Sequence, residues 1–149
     1  MLFSQARKRD VVNTTTATRV ARVDGVVVLP RPARVALLRL GKVRWGEARG
    51  AGTLLAWDDL QGFGPDAVTV ATDAVIRPAR DAVEQRAEDN DLEIMGKRVL
   101  TERGMELGRV TDVDFDPDTG AVISLITTTE TIAGRRLVGL GKYAVVVSA

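Results

Sequence analysis

Asp112, Asp114, Asp116 and Asp118 stand at alternate positions in the stretch TDVDFDPDTG, residues 111–120. Four carboxylates so close could bind calcium, act as general acid and base, or line the wet face of a strand that runs into a turn. An EF-hand loop needs acids at positions 1, 3 and 5, glycine at 6 and glutamate at 12. Counted from Asp112, the last two positions hold Pro117 and Ile123; counted from Asp114, they hold Thr119 and Leu125. Neither register fits. Along a strand, same-face residues lie about 6–7 Å apart, too extended to wrap one ion. Neighbouring acids raise a carboxyl pKa only when partly buried, and nothing around these four marks a cleft.

Other reactive patterns fail on similar grounds. The chain contains no cysteine and no histidine, which removes thiolate nucleophiles, Cys/His zinc sites and the Ser-His-Asp triad. GLGK at 139–142 lacks the spacing and the following helix of a phosphate-binding loop; a strand pattern follows it, so it is a glycine turn. GEARGAG at 46–52 is a flexible loop by the same reasoning. A basic group comprising Arg7, Lys8, Arg9, Arg19, Arg22, Arg34, Arg39, Lys42 and Arg44 could meet RNA. RNA readers interleave exposed aromatics for base stacking, and only Trp45 stands near this group. A charged outer face is the preferred reading. The sequence therefore yields no catalytic, cofactor-binding or metal-binding residue.

The elements that carry these residues are strands. Val113 and Phe115 alternate with Asp112, Asp114 and Asp116, so the apolar pair shares one face and the carboxylates the other. Pro117, the flanking aspartates and Gly120 are turn residues, and AVISLIT at 121–127 returns as the partner strand. The pattern occurs twice. VARVDGVVVLPRPARVALL (20–38) aligns without gaps on LGRVTDVDFDPDTGAVISL (107–125) at an offset of 87, with six identities including Pro30/Pro117 and Val35/Val122. QGFGPDAVTVA (61–71) aligns on VGLGKYAVVVS (138–148) at an offset of 77, matching Gly62/Gly139 and Gly64/Gly141. Two matched blocks in one order imply two copies of a module, the first with a longer middle. Val23 to Val26 and Val110 to Val113 are both spaced by three, which breaks period two and predicts a bulge or sharp bend. Between the copies, RPARDAVEQRAEDNDLE (77–93) predicts a short helix or an ordered linker, with Pro78 suited to a helix start, helix formers from Ala79 to Ala87, and Asn90 at its end.

Composition bounds the class. Hydrophobic residues make up 45% and aromatics only 4% of 149 residues, so the core must rest on Val, Leu, Ile and Ala, which favours strands. Residues 1–74 hold 11 Lys/Arg and 7 Asp/Glu, whereas residues 75–149 hold 10 and 13. That asymmetry suits drift between two surfaces, or a basic half that meets an acidic partner. The start turns charged by Arg7, which argues against a signal peptide. Apolar runs such as AVVV at 144–147 are too short for a membrane span. The absence of cysteine fits a reducing compartment, and a cytoplasmic location is expected.

MGKRVLTERGMELGRVTDVDFDPDTGAVISLI (95–126), followed by LVGLGKYAVVV (137–147), resembles the PRC-barrel family. The resemblance covers 91–149 and extends through the repeat, more weakly, to 1–73; the first copy lacks the Gly-Lys start and the Asp-Pro-x-Thr-Gly turn. It implies a small, strongly bent β-barrel, as in the cytoplasmic domain of the photosynthetic reaction-centre H subunit and the C-terminal half of a ribosome maturation factor. It implies no catalytic residues. The expected organisation is mainly β: two small, strongly bent PRC-type barrels in tandem, residues 1–73 and 91–149, joined by a partly helical linker at 74–90. The expected role is a non-enzymatic interaction or scaffold protein without cofactor. Its partner is another protein, with a homodimer among the arrangements and nucleic acid disfavoured. The alternative is a ribosome- or RNA-associated maturation or assembly factor.

Overall fold

The computed structural model describes residues 1–41 and 53–149; Lys42, Arg44, Trp45 and the loop expected at 46–52 lie outside them. The chain opens with a helical turn, α1 (Phe3–Ala6). It continues through β1 (Asp10–Asn13), β2 (Thr18–Leu29), β3 (Arg34–Gly41), β4 (Leu54–Ala56), β5 (Gly62–Phe63) and β6 (Ala67–Val70). Helix α2 (Ala82–Glu88) follows. The second half holds β7 (Arg98–Thr101), β8 (Glu106–Phe115), β9 (Val122–Thr127), β10 (Thr131–Ala133), β11 (Leu137–Leu140) and β12 (Val145–Val147). The protein is mainly β, in two six-stranded sheets ordered β4-β3-β2-β1-β6-β5 and β10-β9-β8-β7-β12-β11. The second order is the first, moved six strands along the chain.

The register repeats as well. Val23, Val26 and Val28 pair with Leu40, Leu38 and Val35, while Val110, Val113 and Phe115 pair with Thr127, Leu125 and Val122. Every one of these pairs is preserved at an offset of 87. The irregularities coincide too: β2 slips between Val23 and Gly25 and between Val27 and Val28, and β8 slips between Val110 and Asp112 and between Asp114 and Phe115. The bend expected from the valine spacing is thus a bulge in both copies. From β4 onward the offset is 77, since Leu55 pairs with Leu38 as Ile132 pairs with Leu125. The additional length of the first copy therefore lies between Gly41 and Leu54.

The copies meet around an approximate two-fold axis. Arg34 and Ala121 form an antiparallel bridge. On either side of it, Val35 N donates to Gly120 O (2.7 Å) and Val122 N to Ala33 O (3.0 Å). Positions 33, 34 and 35 are those of 120, 121 and 122 at the repeat offset, so the contact is reciprocal, as an isologous interface must be. The first residues cross to the second sheet. Met1 O accepts from Phe115 N at 2.8 Å, and the Met1 amino group donates to Phe115 O (2.8 Å) and Asp114 Oδ1 (3.0 Å).

One apolar cluster accordingly spans both sheets, from Val11, Leu38 and Val68 to Val99, Val113 and Val145. Phe115 stands at the joint, fully buried. Its ring meets Phe3, Trp57 and Phe63 edge-on at 5.4, 6.2 and 5.5 Å. Four of the six aromatic residues described by composition gather there. The aliphatic core expected from composition holds within each sheet, but the seam between the sheets is aromatic.

Helix α2 starts at Ala82, not at Ala79. Arg77 is extended in a bridge to Leu54, as a residue before proline tends to be. Asp81 then caps the helix by accepting from Glu84 N at 2.8 Å. Asn90, in the left-handed conformation (φ 67°), follows its end. The helix is pinned by Arg77, whose Nη1 and Nη2 lie 2.6 and 3.1 Å from Glu84 Oε1 and Oε2. That bidentate pair holds the Glu84 carboxyl below its ordinary pKa, aided by the Arg80 N–H. A depressed carboxylate pKa stabilises the fold above the unfolded value, and the contribution is lost as pH falls through the folded value. Glu84→Gln should therefore flatten the acid limb of the melting-temperature profile and lower stability at neutral pH, as measured by thermal melts across pH.

Candidate functional site

The four aspartates occupy three different settings. Val113 and Phe115 are buried; Asp112 and Asp114 are half-buried on the opposite face of β8, and Asp116, just past its end, is half-buried too. Asp112 accepts from Ser4 through both the backbone N–H (3.2 Å) and the hydroxyl. Asp114 holds the Met1 amino group. Asp116 builds the turn: its Oδ1 accepts from Asp118 N (2.8 Å) and its carbonyl from Gly120 N (2.7 Å). Gly120 has φ +81°, and a Cβ there would lie 2.9 Å from the Trp57 ring, so both backbone and space demand glycine. Asp118 is exposed at the tip. The sequence reading left Asp112 and Asp114 on a free solvated face; instead they receive the first residues of the chain. Among the described residues, no group of three or more acids, histidines or cysteines could hold a metal ion.

Among the described basic residues, Arg19, Arg22 and Arg39 are paired with carboxylates. Arg19 and Arg22 flank Asp10, each at 3.6 Å, and Arg39 pairs with Asp24 at 2.6 Å. Arg9 donates to Gly64 O (2.9 Å) and Gln5 O (3.0 Å), with its guanidinium 5.8 Å from the Phe63 ring centre. Alternation with valines sets these arginines beside the carboxylates of their own sheet.

The repeat itself exposes the candidate surface. On the outer face of the first hairpin, Val27 pairs with Leu37, and Ala36 is the extra residue of the bulge. Helix α2 and the segment after it cover these residues, through Ala87 and Leu92, in a second apolar cluster. Burial on both faces explains the unbroken apolar runs of β2 and β3. In the second hairpin the corresponding pair is Asp114 and Ser124, and the bulged position is Ile123, 55% exposed. No described residue covers it. Ile123 therefore projects from a face edged by Asp114 and Asp116, where the first copy seats a helix. Sequence reasoning missed this residue, although the ungapped alignment sets Val27, Ala36 and Leu37 against Asp114, Ile123 and Ser124. A further exposed group, Tyr143 (72%) and Met105 (65%), lies by the β7–β8 and β11–β12 turns. There the Arg98 guanidinium stacks 5.3 Å from the tyrosine ring centre and pairs with Glu106 at 2.9 Å.

Comparison with known proteins agrees with this architecture. Residues 88–147 match the family model of the PRC-barrel domain. No curated protein matches the chain. Among the described residues, no helix is long and apolar enough to cross a membrane.

Proposed function

We propose that this protein, whose residues 88–147 match the PRC-barrel family model, is a non-catalytic interaction module that docks another protein on the outer face of β8 and β9. The single observation behind this reading is the divergence of two otherwise matched hairpins. One copy covers its outer face with α2; in the other no described residue covers Ile123, which is exposed beside Asp114, the holder of the Met1 amino group, and Asp116. The occupant that suits an isolated apolar contact among carboxylates is a basic amphipathic segment, which brings an aliphatic side chain to Ile123 and cations to the acids. The absence of cysteine suits a cytoplasmic setting for this contact.

A photo-crosslinking residue placed at Ile123 in the full chain, in cells of the native host, tests this. The expected result is one discrete protein adduct that disappears when Asp116 is changed to Lys and does not form from exposed Glu102. No adduct at 123, or equal adducts at 123 and 102, would sink the proposal. Ribosomal RNA co-purifying with the chain would favour the alternative role in ribosome or RNA maturation.

A further inference from the structure

A second candidate site lies beside the two-fold axis, and it goes beyond the interaction reading, which rests on the Ile123 face. The axis relates Trp57 to Gly134, because β4 and the 3-10 turn after it recur at an offset of 77. On one side of the axis, Trp57 lays its indole against Gly120. On the other, Gly134 has no side chain to lay against Ala33, the counterpart of Gly120. A cleft of about 460 Å³ remains there, floored by Val122, Leu137 and Val138 and flanked by Arg31 and Arg135. A methyl group at Gly134 would strike the Val122 carbonyl at 2.1 Å, so this position takes only glycine.

The charges are inverted across the axis. Arg31 corresponds to Asp118 and Arg135 to Asp58. Thus the positions that carry Asp118 and Asp58 in one copy carry Arg31 and Arg135 in the other, where both line the cleft. Neither arginine has an ion pair or hydrogen bond among the described residues. Arg31 also holds a left-handed backbone (φ 64°), which a residue with a Cβ adopts only at a cost. A cation on a strained turn, lining an apolar cleft beside a second cation, is an arrangement suited to a ligand.

We propose that this cleft binds an acidic segment of a partner protein carrying an aromatic anchor: the ring lies on the apolar floor of Val122, Leu137 and Val138, and adjacent carboxylates pair with Arg31 and Arg135. The protein's own residues 56–60, AWDDL, show the required chemistry. A capped AWDDL peptide is therefore the probe, titrated into the isotope-labelled full chain. Saturable shifts are expected at the amides of Ala33, Val122 and Val138. The double change Arg31→Glu and Arg135→Glu should weaken binding about tenfold or more with an unchanged melting temperature, since both side chains are exposed. AWNNL and ALDDL should each bind more weakly than AWDDL. Absence of saturable shifts, or binding that the double variant leaves intact, would overturn the proposal. So would equal binding of AWNNL, or of acetate alone, because the recognition would then lack its charged or its aromatic half.

Discussion

Phe115→Ala should lower stability by about 3–5 kcal/mol, the usual cost of removing a buried ring where the surroundings cannot collapse. The ring is fully buried and its three aromatic neighbours come from the other half of the chain: Phe3 from α1, Trp57 from the turn after β4, and Phe63 from β5. Each sits on a separately anchored element, so no single movement closes the void. Edge-to-face contacts contribute about 0.5–1.5 kcal/mol beyond burial, and three are lost together. The backbone of Phe115 is also the anchor of the first residues, through its bonds to Met1. Denaturant unfolding measures the loss, and a value near that of an exposed substitution would contradict the assignment of Phe115 to the joint between the halves.

The parts of the fold that the sequence made legible are those governed by short-range rules. Alternation of Val113 and Phe115 with aspartates placed β8 at the surface of a core. Pro117 and Gly120 placed the turn, and the valine spacing placed the bulge in both copies. The start of α2 was misplaced because Pro78 and the Asp81 cap are both local start signals; the bridge between Arg77 and Leu54, a contact distant in sequence, selects the later one. The partners of Asp112 and Asp114 were hidden for the same reason, being supplied by residues more than a hundred positions away. The cleft between Arg31 and Arg135 needed the two-fold axis, which only the reciprocal bonds at Ala33, Val35, Gly120 and Val122 reveal. Ile123 was within reach, because an unbroken apolar pattern in one copy and an alternating pattern in the other means one face covered and one open.

The central claim is that the two copies are halves of one body with a shared core. The second half alone, residues 91–149, would lose the Met1 and Ser4 bonds to β8, the bonds from Ala33 and Val35 to the turn, and every aromatic neighbour of Phe115. A domain of that size draws no more than about 3–5 kcal/mol from its own core, and this one would also expose the ring at its centre. The fragment regains such contacts only by pairing with another copy of itself around the same axis. Thermal unfolding of residues 91–149, with the oligomeric state measured in the same sample, is the most direct test. The predicted result is a monomer with no cooperative transition, or a self-associated species whose melting temperature depends on concentration. A monomeric fragment that melts as high as the full chain would contradict the claim.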